Sequence, residues 1–395
     1  MSEKIKILFV GELHSSHALS WIRLLDSYKD QFHIEGVSLG GLPDNVGYYV
    51  RSGFPKSSSR IFQFVRMQLL RMYIPYKKWA DPIRSLYEYG PPEIQFKGLI
   101  TSLLKFNPHI VHTFGFTPGA LIYASIPEVL RKKRRWVLQC RGGSDVAFTQ
   151  AIPEWQTLFR RILPMADVVL ADNLENFKIF DNLGIDYKKT PLLPTVPGAG
   201  GLKVSDFEPV VPWTKRENLI VWPKAYESPW SKSLPVLEGL KLALDIVPSV
   251  KCVFTAVCKE TMNHIRLLPK HIKNRITILD RIPHSEMMQL MQTSRVMLAP
   301  SLVDGFPNSL LEAMTAGAIP IVSPLPTITP FVTEGKNVIF ARNLYPEEIS
   351  AAIVRAFTLS NAEDMVNTNI KLVKQIADRN TISQKVKEMY FELAV

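Results

Sequence analysis

VMLAPSLVDGFPNSLLEAMTAGAIPIVSP, residues 296–324, decides the fold of this 395-residue chain. Its first apolar run, Val296–Ala299, is typical of a buried strand, and a loop follows it. Asn308–Ala316 has the apolar spacing of a helix, and Ile319–Val322 has the composition of another buried strand. A strand, a helix and a second strand in this order predict a βαβ unit in a parallel sheet.

The loop between Pro300 and the helix has the features of a ligand-binding loop. Asp304 and Gly305 lie in it, and Pro307 is expected in the first helical turn. Open α/β sheets bind ligands at the carboxyl ends of their strands. Unpaired backbone N–H groups and the helix dipole favour a phosphate there. Glu312 lies about one turn further along, where its carboxylate could accept two hydrogen bonds from a ribose diol.

Short apolar strands alternate with helix-length segments along the whole chain. In the first half the predicted strands are Ile5–Gly11, Phe32–Leu39, His109–Phe114, Trp136–Cys140 and Val168–Ala171. In the second half they are Leu219–Trp222, Val250–Ala256, Ile276–Leu279, Val296–Pro300 and Ile319–Val322. Two such sets predict an α/β protein with two doubly wound domains.

The boundary between the domains is expected in Pro191–Pro212, which is rich in Pro and Gly and has no sustained periodicity. We therefore assign residues 1–200 to an N-terminal domain and 201–375 to a C-terminal domain. After Ile339 the pattern is helical, through Pro346–Thr358 and Ser383–Leu393. Residues 376–395 are expected to form a helix that packs back on the N-terminal domain.

Composition excludes several classes of protein. Apolar residues make up 46% and charged residues 21% of the chain, which is ordinary for a globular protein. No stretch has the length of about 18 apolar residues that a membrane span needs. The three cysteines, Cys140, Cys252 and Cys258, form no CxxC pair, and the histidines lack metal-ligand spacing. We expect no disulfide scaffold, no metal site and a cytoplasmic location.

The net charge of +11 is concentrated in the first half, where 25 Lys and Arg face 17 Asp and Glu in residues 1–200. One basic run, residues 51–78, includes Arg60–Tyr73, which can form a basic amphipathic helix. Such a helix binds an anionic membrane surface or is a core helix with a solvated basic face. A second run is Arg131–Arg135. A basic half is also consistent with a nucleic-acid-binding protein, although no recognised signature is present.

The segment DGFPNSLLEAMTAGAIPIVS resembles the E-G-F-x-x-x-x-x-E-A-M-A-x-G-x-P-V-V-x-S signature of the family 4 glycosyltransferases. The matching residues are Pro300, Ser301, Asp304, Gly305, Phe306, Glu312, Ala313, Met314, Gly317, Pro320 and Ser323. This resemblance implies the GT-B fold, in which two Rossmann-like domains face each other across a cleft. It also implies retaining, metal-independent transfer of a sugar from a nucleoside diphosphate.

Further segments resemble the family in the same order. Lys224 in IVWPKAYE lies where the family usually has an arginine, and Lys232 in WSKSLPVLEGLKLA resembles the lysine of its K-G-x-x-x-L motif. Both cations would face the diphosphate and stabilise its departure. The loop backbone around Arg281 and Ile282 would contact the base. In CRGGSDV, Arg141 lies where many members have a histidine that contacts the sugar.

The resemblance divides the candidate residues into three groups. The catalytic candidates are Asp304, Lys232, Lys224 and Arg141. The donor-binding candidates are Glu312, Gly305, Phe306, Pro307, Asn308, Arg281 and Ile282. The candidates for the acceptor side or the cleft are Gly11, His17 and His112, the last in FNPHIVHTFG. The N-terminal domain would then take the acceptor and the C-terminal domain the donor, and no metal ligand is assigned.

The function implied is a hexosyl transfer from a UDP- or GDP-linked donor to a glycan or lipid-linked acceptor, in cell-envelope polysaccharide or glycolipid synthesis. No cofactor is expected besides this donor substrate, and no nucleic acid is expected. The enzyme would work in the cytoplasm or at the inner face of the membrane, with residues 51–78 on an anionic surface. The alternatives are a basic nucleic-acid-binding protein and a GT-B nucleotide-sugar epimerase.

Overall fold

Two six-stranded parallel sheets form the framework of the molecule. The computed structural model describes residues 3–43, 46–52 and 92–395, without the side chains of 92–97, 143 and 144. The α/β class and the two doubly wound sheets predicted from the sequence are confirmed. The amphipathic helix predicted at Arg60–Tyr73, and all of the 51–78 run beyond Ser52, lie outside the described residues.

The first sheet has the strand order β3-β2-β1-β4-β5-β6. Its strands are β1 (Ile5–Gly11), β2 (Phe32–Ser38), β3 (Tyr49–Ser52), β4 (Ile110–Phe114), β5 (Arg135–Gln139) and β6 (Val168–Leu170). The helices that pack around it are α1 (Ser16–Ile22), α2 (Pro92–Phe106), α3 (Leu121–Ala124), α4 (Glu128–Arg131), α5 (Pro153–Ile162) and α6 (Leu174–Asn182). Short 3₁₀ and π turns at Arg23–Tyr28, Gly115–Ala120, Gly143–Ala147 and Leu163–Met165 complete the connections.

The second sheet repeats this topology with the order β12-β11-β10-β7-β8-β9. Its strands are β7 (Glu217–Trp222), β8 (Lys251–Phe254), β9 (Ile276–Ile278), β10 (Ser294–Ala299), β11 (Ile319–Val322) and β12 (Ile339–Phe340). The helices that follow the linker are α7 (Ser233–Ile246), α8 (Lys259–Leu267), α9 (Lys270–Lys273), α10 (His284–Thr293), α11 (Asn308–Ala316), α12 (Pro346–Thr358), α13 (Ala362–Ala377) and α14 (Arg379–Ala394).

The central strands are apolar on both faces because helices cover both sides of each sheet. In β1, Leu8 and Val10 pack in one apolar cluster, whereas Ile7 and Phe9 pack in another on the opposite face. Successive side chains of a strand point to opposite faces, so a doubly covered strand is a continuous apolar run rather than an alternating one. This is why the sequence located these strands well.

The chain crosses between the two sheets twice, and the two crossings are hydrogen-bonded to each other. The N–H of Leu202 donates to the carbonyl of Ala377 at 2.9 Å, and the N–H of Arg379 donates back to Leu202 at 3.0 Å. Beyond this point α14 packs Ile382 and Tyr390 into an apolar cluster of the first sheet. The C-terminal helix therefore joins the core of the N-terminal sheet.

The strands β3 and β12 were not predicted. Each is a short edge strand, of four and two residues respectively, and β3 ends in the polar pair Arg51 and Ser52. Edge strands pair on one side only and need little apolar character. No helix in the described part of the chain combines the length and the apolar character needed to cross a membrane.

Candidate active site

The loops at the carboxyl ends of the two sheets meet in a cleft between the domains. An ideal Cβ atom built on Gly305, in the loop after β10, would lie 2.4 Å from the Cα of Gly142, in the loop after β5. Asn308 Nδ2 donates to Nδ1 of His17 across the same cleft at 2.7 Å. Side chains from both domains can therefore reach one ligand there.

The cleft lies where the strand order reverses in each sheet. In the second sheet β7 and β10 are neighbours although they are far apart in sequence, and in the first sheet the same holds for β1 and β4. Open parallel sheets bind ligands at this reversal point, because the loops on either side of it diverge. Lys224 follows β7 and Asp304 follows β10, so both lie beside the reversal point of the second sheet.

The loop after β10 is held by hydrogen bonds on both sides. Asp304 Oδ1 accepts from the N–H of Gly305 at 2.8 Å, and the carbonyl of Asp304 accepts from Thr327 Oγ1 at 2.9 Å. α11 begins at Asn308, and Pro307 is its N-cap rather than the first-turn residue that the sequence predicted. The first N–H groups of α11 have no intrahelical acceptors, and they lie at the end of this loop. They can therefore donate hydrogen bonds to an anion.

A cavity of about 260 Å³ lies beneath this loop. Lys224, Tyr226 and Trp230 line it from one side, and Asp304 and Pro307 line it from the other. Desolvation raises the pKa of Asp304 above its ordinary value, although the positive charge of Lys224 and the Gly305 N–H act in the opposite direction. A cation and a carboxylate thus face one small cavity at the end of the second sheet.

Trp230, which lines this cavity, makes an aromatic contact across the cleft. The ring of Phe148, from the first domain, meets the ring of Trp230 edge-on, with 4.8 Å between their centroids and an interplanar angle of 86°. The carbonyl of Trp230 accepts from the N–H of Leu302 at 2.7 Å, which ties the segment that bears Trp230 to the loop after β10.

Glu312 has a histidine partner on the neighbouring helix. Its Oε1 lies 2.9 Å from Nε2 of His284, the first residue of α10. The bond to Glu312 raises the pKa of His284 above its ordinary value. Arg281 and Ile282, whose backbone was expected to contact the base, lie in the segment between β9 and α10, where Pro283 separates them from His284.

Lys232 is paired with a carboxylate of its own domain. Its Nζ lies 2.8 Å from Oε1 of Glu227, and Oε2 of Glu227 accepts from the N–H of Ser233 at 2.7 Å. Desolvation works to raise the pKa of Glu227, but the bonds from Lys232 and Ser233 outweigh it and lower the pKa. Glu227 therefore occupies the N-terminus of α7, where an anionic ligand of Lys232 would also bind.

A second carboxyl group lies close to Asp304, on the opposite wall. Asp172 follows β6; its Oδ2 accepts from the N–H of Gly142 at 3.1 Å and its Oδ1 accepts from Asn173 Nδ2 at 2.6 Å. Burial raises the pKa of Asp172 to about 7, with the nearby charge of Asp304 acting in the same direction. The closure of the cleft thus brings two acids together.

His17 and Arg141 form the first-domain wall. Desolvation, together with the positive charges of Arg141 and Lys224, lowers the pKa of His17 to about 4. His17 is therefore neutral at physiological pH and accepts the hydrogen bond from Asn308. Arg141 Nη1 donates to Ser15 Oγ at 3.4 Å, and its guanidinium carbon lies 5.0 Å from the ring centroid of Phe114.

Three of the candidate residues are buried. His112 is completely buried; its Nδ1 lies 2.6 Å from the Tyr390 hydroxyl and its Nε2 lies 3.1 Å from Gln139 Oε1, so the expectation that it lines the cleft was wrong. Burial lowers its pKa to about 3. Gly11 is buried at the end of β1, and an added Cβ would lie 3.0 Å from Phe114. The side chain of Phe306 packs on Phe331 in the core, which leaves only its backbone for a ligand.

The sequence did not single out Asp172, Glu227 or His284. Asp172 directly follows a buried strand, which is a position that favours ligand contacts. His284 follows a proline at the start of a helix, and Glu227 lies five residues before Lys232. Neither of these two positions indicates a partner: the His284 contact joins segments that the sheet places, and the Glu227 contact depends on the turn between Ser228 and Ser231.

Most of the basic run Arg131–Arg135 is occupied by contacts within the protein. Arg134 donates to the carbonyls of Leu130 and Leu103, and Arg135 Nη1 lies 3.2 Å from Asp167 Oδ1. Lys132 pairs with Glu128 on the same helix. The run therefore contributes to the packing of the first domain.

Residues 232–358 match the protein family described as glycosyl transferases group 1, so this part of the chain is a domain of that family. HepE of Anabaena, solved in complex with UDP and glucose, superposes with a TM-score of 0.67 at 14% identity and covers 98% of this chain and 100% of its own. A sucrose-phosphate synthase of Thermosynechococcus elongatus superposes with a TM-score of 0.71 at 14% identity, with 99% of each chain covered. No curated protein sequence matches the chain significantly.

These likenesses establish the architecture as the GT-B fold. A glycosyltransferase of Rickettsia africae shares it too, with a TM-score of 0.67 at 14% identity over 99% of each chain. The predicted GT-B class, with two Rossmann-like domains facing across a cleft, is confirmed.

Proposed function

We propose that the protein is a retaining, metal-independent glycosyltransferase that moves a hexose-type sugar from a nucleoside diphosphate to a glycan or lipid-linked acceptor. One observation carries this proposal. Lys224, the loop Asp304–Asn308 and Glu312 lie together at the reversal point of the second sheet, and residues 232–358, which include the loop and Glu312, match a glycosyl transferase family. HepE, which has the same fold, was solved with UDP-glucose.

The diphosphate would bind at the N-terminus of α11. The N–H groups of Asn308 and Ser309 have no intrahelical acceptors, and the helix dipole favours negative charge there. Lys224 would supply the positive charge from the neighbouring strand β7, and Lys232 would contribute after it leaves Glu227. One turn further along α11, Glu312 would accept the ribose hydroxyls. Arg281 and Ile282 precede the His284 partner of Glu312, which is consistent with a base bound against their backbone.

The transfer then needs little covalent chemistry from the protein. The bond between the anomeric carbon and the diphosphate oxygen breaks, and the electron pair leaves with the nucleoside diphosphate. The acceptor hydroxyl forms the new bond to the anomeric carbon and gives its proton to the departing diphosphate. Lys224, Lys232 and the α11 amides stabilise the charge that develops on the leaving group. Closing of the cleft, through the contact of Gly142 with Gly305, would exclude water.

The two domains would have different tasks. We assign the acceptor side to residues 1–200, with Gly11 and His17 at its edge, and the donor side to residues 201–375. Residues 376–395 return to the first domain. The acceptor belongs to cell-envelope polysaccharide or glycolipid synthesis, and we place the enzyme in the cytoplasm, at an anionic inner membrane surface that residues 51–78 contact.

Thermal unfolding in the presence of UDP, GDP, ADP or a short RNA tests this function. A ligand at about 100 times its dissociation constant stabilises the fold by about 2.7 kcal/mol, which shifts the midpoint measurably. We expect one nucleoside diphosphate to raise the midpoint in the wild type and not in Glu312→Ala, while the control Glu286→Ala on α10 responds as the wild type does. A shift with RNA and with no diphosphate would contradict the proposal.

A further inference from the structure

The guanidinium of Arg141 has two nitrogen atoms that donate to nothing in the described residues. Its Nε and Nη2 are shielded from solvent and have no hydrogen-bond partner there, and Nη1 has only the 3.4 Å contact with Ser15 Oγ. Leaving charged donors out of water without acceptors costs free energy, so such atoms are rare in folded proteins. Burial lowers the pKa of Arg141, as expected for a cation that lacks full compensation.

Three acidic residues, Asp145, Glu12 and Asp172, act on the charge of Arg141. The carboxylate of Asp145 accepts three main-chain N–H groups, from Arg141 itself at 2.9 Å, from Phe116 at 2.7 Å and from Thr117 at 3.1 Å. Asp172 accepts from Gly142 and Asn173. These three acids favour the charged guanidinium by proximity, yet none of them accepts a hydrogen bond from its Nε or Nη2.

The two unpaired donors lie along one edge of the planar guanidinium. Nε–H and the adjacent Nη2–H point the same way and form a fork that matches the two oxygens of a carboxylate. Both nitrogen atoms of this fork lack a hydrogen-bond acceptor in the part of the chain that the structure describes, whereas Nη1 has one. The two unpaired donors therefore have the geometry that binds a carboxylate in bidentate fashion.

Arg141 belongs to the first-domain wall of the cleft. Its neighbour Gly142 meets Gly305, and the charge of Arg141 acts on His17, which contacts Asn308 at the start of α11. The negative charge of a bound diphosphate would be met on the opposite wall, by Lys224 and the α11 N–H groups. A donor bound in this way would extend its sugar from the diphosphate towards the first-domain wall, where Arg141 lies.

We infer that Arg141 binds a carboxylate on the transferred sugar, so that the donor is a nucleoside diphosphate hexuronate. This inference rests on the proposed function and narrows its substrate class. The carboxylate takes no part in bond breaking: it fixes the orientation of the sugar and leaves the transfer itself unchanged. A neutral hexose would leave Nε and Nη2 without an anionic acceptor.

Calorimetric titration with matched donors tests the inference. The probes are UDP, UDP-glucose and UDP-glucuronate, together with GDP, GDP-mannose and GDP-mannuronate. For the nucleotide that binds, the hexuronate should bind at least about tenfold more tightly than the neutral sugar, as a charge-assisted bidentate contact implies. In Arg141→Gln this preference should fall to near one, while the affinity for the nucleoside diphosphate alone is unchanged.

The variant Arg141→Lys separates the fork from its charge. Lysine keeps the positive charge and lacks the planar fork, so most of the preference should be lost in this variant too. The fold should survive both substitutions, because each removes unpaired buried donors; the thermal midpoint checks this.

Two results would overturn the inference and leave the proposed function standing. Equal affinity of the wild type for hexose and hexuronate donors would show that the sugar is neutral at Arg141. A loss of affinity for UDP or GDP itself in Arg141→Gln would show that Arg141 binds the diphosphate. Absence of binding by every nucleotide would instead contradict the proposed function, and the inference with it.

Discussion

His284 Nε2 lies 2.9 Å from Glu312 Oε1, which joins the start of α10 to the middle of α11. The carboxylate proposed to hold the ribose therefore has a partner whose charge depends on pH. His284 is largely exposed, whereas Glu312 is mostly buried, with 64% and 15% of their side chains accessible. The pair is therefore a partly exposed surface pair, in which packing restricts the Glu312 side chain more than the His284 side chain.

This pair predicts a pH-dependent contribution to stability. The bond to Glu312 raises the pKa of His284 in the folded state. Its stabilisation is therefore complete below the unfolded pKa of about 6.5 and is lost as the pH rises through the higher folded value. Denaturant unfolding of the wild type and His284→Gln should differ by about 0.2–1 kcal/mol near pH 6, and the difference should vanish near pH 9. In a Glu312→Gln background the substitution should have no pH-dependent effect; a difference that persists there would refute the pairing.

The contact between Gly142 and Gly305 predicts that a methyl group at this point disturbs the cleft. A Cβ on Gly305 would lie 2.4 Å from Gly142 Cα and 2.5 Å from Asp172 Oδ2, so at least the backbone of Gly142 would have to shift. In Gly305→Ala the domains should move apart, and nucleoside diphosphate affinity should fall at least about tenfold, measured by calorimetry with UDP and GDP. Gly47→Ala is the matched control, because its Cβ would meet only Lys29 Nζ at 4.0 Å. Unchanged affinity in Gly305→Ala would show that the approach of the two loops is dispensable.

The buried hydroxyl of Tyr390 predicts a stability effect without a binding effect. It lies 2.6 Å from His112 Nδ1 and accepts from Trp21 Nε1 at 3.4 Å. Tyr390→Phe should lower the free energy of unfolding by about 1–3 kcal/mol, because buried polar atoms lose their partner. Nucleoside diphosphate affinity should stay the same, since His112 lies in the core. The control Tyr187→Phe, which removes a hydroxyl at the surface, should lower the free energy of unfolding by less. If Tyr390→Phe changed nucleoside diphosphate affinity and not stability, His112 would have to line the cleft.

The ion pair of Lys232 with Glu227 predicts opposite effects of two substitutions. Lys232→Met should weaken nucleoside diphosphate binding at least about tenfold and lower turnover by several orders of magnitude, because it removes charge from the leaving group. Glu227→Gln should strengthen diphosphate binding, since the carboxylate competes for Lys232 at 2.8 Å. Lys241→Met, on the same helix and paired with Glu238, is the control and should change neither. Equal behaviour of Lys232→Met and Lys241→Met would exclude Lys232 from the site.

The strands of both sheets could be predicted from the sequence because a doubly covered strand is apolar at every position. β1 and β11 have the predicted bounds, and most other strands differ by one or two residues at their ends. The loop with Asp304 and the start of α11 could be placed for the same reason, since they follow a strand and precede a helix. The edge strands β3 and β12 lack this apolar pattern. Each forms by pairing with a neighbouring strand of the assembled sheet, which the local sequence does not indicate.

The partners of the candidate residues could not be predicted in the same way. Glu312 contacts His284, and Arg141 approaches Ser15, across 28 and 126 residues of chain respectively. His112 illustrates the limit most clearly. From the motif alone, this histidine could lie in the cleft or in the core. It lies in the core because α14 packs against the first sheet and brings Tyr390 to it.

A crystal structure with the nucleoside diphosphate that stabilises the protein tests the central claim most directly. We predict that the phosphates lie at the N-terminus of α11, between Lys224 and the N–H groups of Asn308 and Ser309, with both ribose hydroxyls on Glu312. In that complex Lys232 should have turned from Glu227 to the diphosphate. Phosphates bound elsewhere, for instance along Arg131–Arg135, with Glu312 still on His284 alone, would contradict the account.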